Sequence, residues 1–311
     1  MKYINTFKNH ASYEEKLNGG VDISLPNVSY CEDVKDVHYT PYNLVRFYVG
    51  EITTETPQTV KIYTDSSTSV DVQVSEGNKW YSYVLPKDKG LFKIEGDSVK
   101  KVVVKADISF NGWSGYPYRI IIPNSVVEAS FKGSNTSNVT SMTNMFQGCR
   151  GLTSLDVSSF DTSKVTNMNQ MFNGCIGLKS LDVSSFDTSK VIDMSGMFNG
   201  CSSLTSLDLS GLDTSNVARM MSVFSRCNSL TSLNLSGWNT SSVTDMDYMF
   251  YECSGLTSLT LSGWNTSKVN NITDMFKGCT SLTTIRMVGC SPDTIDKIKA
   301  VKPSSAEIVT E

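Results

Sequence analysis

Proline is missing from the whole stretch between Asn124 and Ser291. Because proline has no N–H to donate, so long a run without it suits a continuous hydrogen-bonded ladder. Histidine is nearly missing as well: His10 and His38 are the only two, and both lie near the start of the chain. A Ser-His-Asp relay would therefore need one of those two residues. Eight cysteines occur without a single CxxC pair, so the spacing of a zinc site is lacking. GxGxxG after a strand, the P-loop and HExxH are all absent, which leaves no common catalytic signature. No run of about 20 apolar residues occurs, so no helix is expected to span a bilayer. The opening MKYINTFKNHASYEEKL lacks the apolar core of a signal peptide. Either the chain is made without one, or this is a trimmed mature form. A net charge of −4 gives no general attraction to nucleic acid or an anionic membrane.

What the chain does have is repetition. Val139, Val165, Val191, Val217, Val243 and Val269 lie 26 residues apart, and so do Cys149, Cys175, Cys201, Cys227, Cys253 and Cys279. Six copies fill residues 135–290 without an insertion. A period of this length marks a solenoid, in which each coil buries its apolar face only by stacking on its neighbours. Within a copy, CxxLxxLxL predicts a short strand on one wall. An Asp-Thr-Ser or Asn-Thr-Ser turn follows. VxxMxxMF then has the spacing of a short helix or 3₁₀ turn on the opposite wall.

The motifs VTNMNQMFNGC at Val165–Cys175 and SLTSLDLS at Ser203–Ser210 closely resemble the 26-residue bacterial surface-protein repeat, the BspA-like branch of the leucine-rich repeats. The resemblance covers about half the chain. It implies a repeat used on exposed surfaces for adhesion and recognition, and it implies no catalytic residues.

Around the repeats four further parts are expected. Residues 1–42 read as a leader for attachment, with a short helix YEEKLN after Ser12. The leader is similar to those of phage and prophage structural proteins of gut bacteria, which implies docking to a larger assembly. A metal site from His10, His38 and Cys31 is the sharper reading of those residues, and ordinary loop packing the plainer one. Residues 43–122 hold about seven short β-branched or aromatic runs separated by turn-formers, which predicts a small antiparallel β-sandwich or barrel. There Trp80, Tyr81 and Tyr83 suit either a carbohydrate platform or cross-strand packing. SVVEASFKGS aligns one period before GLTSLDVSSF and reads as a half-repeat cap at 124–134. In 291–311, Ser291-Pro292 starts a capping helix, followed by a polar tail expected to be loosely held. The fold class is thus mainly β with short helices, a small β domain followed by a six-coil solenoid in 123–290.

Two surfaces are candidate sites. Alternation on the strand wall turns Asp156, Asp182, Asp208 and Asn234 outward in one column. This column suits sugar hydroxyls, Ca²⁺ or plain solvent. On the opposite wall copies four and five break their consensus with Arg219, Met221 and Arg226, then Tyr248, Tyr251 and Glu252. Tyr and Arg favour interfaces, so this is the expected partner contact, with ordinary surface drift as the alternative. The cysteine column reads as buried small thiols or as a disulfide or zinc ladder.

Together these features predict a non-enzymatic recognition or adhesion protein displayed on a virion or a bacterial cell surface. Its partner would be a surface protein or glycan, and no cofactor or metal is expected. A homo-oligomer is possible. The opposing reading is a carbohydrate-active enzyme with the solenoid as its binding appendage.

Overall fold

The structure, a computed structural model, describes the backbone of eight strands between residues 30 and 121, and then residues 122–311 apart from 123, 133 and 135. The expected YEEKLN helix, His10 and His38 lie outside the described residues, as do the side chains of Cys31, Trp80, Tyr81 and Tyr83.

The seven apolar runs after residue 43 all become strands: β2 Leu44–Thr54, β3 Gln58–Tyr63, β4 Ser69–Val74, β5 Trp80–Pro86, β6 Leu91–Glu95, β7 Val99–Asp107 and β8 Arg119–Ile121. β1, Tyr30–Cys31, pairs with β5. One sheet runs β4-β3-β6-β8; the other runs β1-β5-β2-β7 and then continues into β9, Glu128–Ser130, and β10, Ser154–Asp156. Pairing is antiparallel from β1 through β7, but β6–β8, β7–β9 and β9–β10 are parallel. The switch occurs where the chain takes up the solenoid's repeating path, in which each coil re-enters the wall in the same direction. The half-repeat register holds, with Ala129 opposite Leu155. β9 is nevertheless not the end of the wall, because β7 covers its outer edge.

The solenoid's strand wall continues in β11 Ser232–Asn234, β12 Ser258–Thr260 and β13 Thr284–Arg286. Leu155, Leu181, Leu233, Leu259 and Ile285 at the centre of the strand position are buried, and Leu207 is half-buried. In the core, Phe146, Phe172, Phe198, Phe224, Phe250 and Phe276 stack face to face with ring centroids 5.5–5.8 Å apart. Equal residues at equal positions of successive coils make this inevitable once the register is 26. Two polar columns hold the coils together from inside. Each buried thiol from Cys149 to Cys279 donates to a carbonyl 29 residues earlier at 2.9–3.3 Å. Thr136, Thr162, Thr188, Thr214 and Thr240 donate their hydroxyls to the backbone of the next coil at 2.8–3.1 Å. The column of thiols is therefore free and buried, with no disulfide among the described cysteines. Burial pushes the thiol of Cys201 up to about 12.

The wall opposite the strands keeps the i→i+3 bonding of the expected 3₁₀ turn and departs from the alternative of a short helix. VxxMxxMF is not a helix but a chain of tight turns, with i→i+3 bonds such as Met145 N–H to Met142 O, 3.2 Å, and Gln147 N–H to Asn144 O, 3.0 Å. What interrupts the helix is a pair of left-handed residues in each coil. One column is Asn144, Gln170, Gly196, Ser222, Tyr248 and Asp274; the other is Gly148, Gly174, Gly200, Arg226, Glu252 and Gly278. Alternating hand turns the backbone N–H groups sideways, out of the coil and toward the next one. Met142, Asn144, Phe146 and Gly148 thus donate to Asn167, Asn169, Met171 and Asn173 at 2.7–2.9 Å.

Past the last coil, the sole helix among the described residues, α1, spans Pro292–Val301, with Ser291 as its N-cap and Ile298 buried against the core. The tail that follows is not loose. Glu307–Val309 forms β14, parallel to β13, with Ile308 opposite Ile285. Its polar look is misleading: Ala306 is buried, Ile308 and Val309 are half-buried, and the backbone pairs with β13.

Candidate functional site

On the strand wall, each member of the acidic column is engaged in its own turn. Asp156, Asp182, Asp208 and Asn234 accept the N–H of Ser158, Ser184, Ser210 and Ser236 through Oδ1 at 2.9–3.1 Å. This is an Asx-type turn, and it explains why Asp and Asn interchange there. The hydroxyl and N–H of Ser158 hold the Asp156 carboxyl below its ordinary range, and those of Ser184 do the same for Asp182. For Asp208 the Ser210 N–H is the leading cause. No group of three acidic, histidine or cysteine side chains suited to a metal ion occurs among the described residues. The sequence could not show this, because an outward position and a turn-capping position look alike in a repeat alignment.

The turn wall is different in coils four and five, residues 213–238 and 239–264. There the second left-handed column, glycine in four coils, carries Arg226 at φ 60° and Glu252 at φ 57°. A side chain in this region costs roughly 1–2 kcal/mol relative to glycine. Arg226 Nε reaches Glu252 Oε2 at 2.9 Å across the coil step. The Arg226 guanidinium lies 5.7 Å from the centre of the Tyr251 ring, and Lys277 Nζ lies 6.0 Å from it. Tyr248 meets Tyr251 edge to face at 5.6 Å. Hydrogen bonding from Arg226 holds the Glu252 carboxyl below the usual range, and hydrogen bonding to Glu252 lifts the Tyr251 phenol. Lys277 is in turn tied to Asp274 at 3.0 Å.

The structure thus brings Arg226, Tyr248, Tyr251 and Glu252 into one cluster. Arg219 belongs to the same wall but turns the other way, 3.3 Å from Asp193. Residues outside the expected set complete the surface. Ile192, 49 % exposed, Met221, 40 %, and Tyr248, 36 %, are exposed apolar side chains on three successive coils of this wall. The same wall carries the ion pairs Arg219–Asp193, Arg226–Glu252 and Lys277–Asp274. Ile192 had a usable signal, since its column otherwise reads Thr140, Thr166, Ala218, Thr244 and Asn270. Lys277 and Asp274 had none, because their importance comes from the stacking of coil six on coil five.

Solved structures that match include a leucine-rich cell surface protein from Faecalibacterium prausnitzii A2-165, at 15 % identity over 80 % of this chain and 97 % of that one, with a TM-score of 0.23. A chain from the octameric complex of Latrophilin 3, Unc5D and FLRT2 also matches, at 13 % identity over 65 % of this chain and 87 % of that one, with a TM-score of 0.23. No curated protein matches. A family model matches residues 123–231 and 205–287, which together make up more than half of the chain and contain the turn wall just described. The chain belongs to that family, described as Mycoplasma protein of unknown function, DUF285.

Proposed function

We propose that this chain is a surface-displayed recognition protein that binds a protein partner through the turn wall of coils four and five. One observation carries the reading. Only at Arg226 and Glu252 does the chain place large charged side chains at left-handed positions that glycine fills in the other coils. Backbone strain of this kind concentrates where function needs it. Around these residues, exposed apolar side chains together with ion pairs have the make-up of a protein interface. Ile192 and Met221 suit a protein side chain better than a sugar, and the Tyr251 ring already faces two cations.

In this reading the solenoid does the recognising, while the segment before residue 123 attaches it to its platform, a bacterial envelope or a phage particle. The BspA-like resemblance supports display, and the chain works without catalysis. The strand-wall aspartates keep a turn-forming role.

The test is the double variant R226G/E252G, compared with the native chain for melting and for binding to the surface of intact bacterial cells. The reading expects an equal or higher melting temperature, since glycine relieves both strained positions, together with at least a tenfold loss of binding. Undiminished binding by a well-folded double variant would remove the turn wall from the proposal. Mass spectrometry of fractionated particles and envelopes, following SLDVSSFDTSK, then separates the two platforms.

A further inference from the structure

The turn wall is polar along the solenoid axis. In each of the first five coils four N–H groups point toward the C-terminal end and four carbonyls of the next coil receive them. The last complete set joins Met246, Tyr248, Phe250 and Glu252 to the carbonyls of Asn271, Thr273, Met275 and Lys277 at 2.7–2.9 Å. At the N-terminal end Ile120 donates to one carbonyl of the row, Met145 O, at 2.7 Å. At the other end no such partner is met among the described residues. The N–H groups of Ile272, Asp274, Phe276 and Gly278 meet no acceptor among the described residues.

The reason lies in how the cap is built. Thr294 continues the threonine column by bonding to Thr266, and Lys297 Nζ covers the carbonyls of Thr266 and Val269 at 2.9 Å. β14 completes the strand wall. Among the described residues α1 and β14 cover the corner and the strand wall, and none is laid along residues 272–278. Instead a cleft of about 350 Å³ opens there, with Phe276, Val301 and Pro303 as apolar lining and Lys277 and Lys302 at its sides.

We propose that this edge is a docking site for a polypeptide segment of a partner that follows the turn path of a coil and supplies successive backbone carbonyls to Ile272, Asp274, Phe276 and Gly278. The same row of donors takes four carbonyls from the following stretch of chain at each of the five preceding steps, so its spacing is matched to polypeptide. A single carboxylate or phosphate would reach only part of it. A second copy stacked end to end would find one of its matching carbonyls, Met145 O, already taken by Ile120. As when a strand is added to a sheet edge, affinity comes from main-chain hydrogen bonds and specificity from side-chain pockets. Here Val301 and Pro303, beside the buried Phe276, select an apolar side chain, while Lys277 is held by Asp274 and Lys302 by the carbonyls of Pro303 and Ala306. This site adjoins the coil-four and coil-five surface through Asp274 and Lys277, but it does not rest on that reading.

The probe is a synthetic peptide of residues 243–252, VTDMDYMFYE, which already carries the complementary carbonyl pattern. It is titrated into the ¹⁵N-labelled full chain while amide shifts and hydrogen exchange are followed. The expected result is downfield shifts and at least tenfold slower exchange at those four amides, with fast exchange before peptide is added. Several results would overturn the proposal: protection already present in the free chain, no change at the four amides, shifts confined to Tyr248 and Tyr251, or an equal response to inorganic phosphate alone.

Discussion

Cys201 donates its thiol to Phe172 O at 3.2 Å, and that same carbonyl also receives the N–H of Cys175 at 3.1 Å. From sequence alone, Cys201→Ser buries a hydroxyl with no assured partner, a loss on the order of 1–3 kcal/mol. The acceptor seen in the structure lowers that expectation to below about 1.5 kcal/mol, since a buried hydroxyl with a partner is nearly neutral. Urea denaturation measures it, and a loss above about 3 kcal/mol would mean that the serine cannot reach the carbonyl. Aspartates in the strand-wall turns set the acid response. Asp156, Asp182 and Asp208 have folded pKa values below the ordinary carboxylate range. Their contribution is therefore complete above about pH 4, the unfolded value, and drains away as pH falls through the folded one. D156N/D182N/D208N keeps each Oδ1 acceptor, as Asn234 does naturally. Its melting temperature should lie slightly below wild type at pH 7, where the charges contribute, and fall less steeply between pH 4 and pH 2. Identical acid profiles would show that the turns draw nothing from the charge.

At the scale of elements, β14 carries more than its composition suggests. Val309 O accepts the N–H of Met287 at 2.7 Å, Glu307 N–H donates to Thr283 O at 2.8 Å, and Ser305 donates to Leu282 O at 2.9 Å. Removing residues 304–311 exposes Ile285 on one side and deletes buried Ala306. Lost burial and hydrogen bonds together amount to about 3 kcal/mol. Calorimetry should show a lower melting temperature for the truncated chain, and an unchanged one would mean that α1 alone closes the solenoid. The turn wall teaches the complementary lesson. Its apolar spacing in VxxMxxMF fits a helix, and Val191, Met194, Met197 and Phe198 are indeed all buried. Two left-handed residues per coil convert that spacing into turns, and only the glycine column hinted at them.

Over the whole molecule, the solenoid is a stack of equivalent steps, so its length is adjustable in units of one coil. Excising 26 residues, 174–199, joins Asn173 to Gly200 in register and leaves coils four to six intact. That variant should fold cooperatively, with a reduced urea m-value, because m scales with the surface exposed on unfolding. A deletion of 25 residues from the same place shifts every inward side chain and should not fold. Circular dichroism melts distinguish the two, and equal behaviour would contradict the stacked register. The N-terminal strands belong to this accounting as well. β7 pairs with β9 and Ile120 donates to one carbonyl of the turn wall of coil one, so the sheet before residue 123 also serves as the solenoid's first cap.

Register, inward columns and coil number were all legible in the chain itself, because a strict 26-residue period leaves one way for Phe146 to Phe276 and Cys149 to Cys279 to stack. The capping helix was legible too, from Ser291-Pro292. The strand-wall aspartates were legible as a column but not as turn caps, since exposure and local hydrogen bonding leave the same mark on a repeat. The cluster at Arg226, Tyr251 and Glu252 showed as broken consensus, whereas Lys277 and Asp274 joined it only through the stacking of the next coil. The β14 strand, the parallel join of β7 to β9 and the open donor row at 272–278 were decided by tertiary structure alone. Each depends on which backbone groups find a neighbour across the fold, and no local pattern of side chains records that.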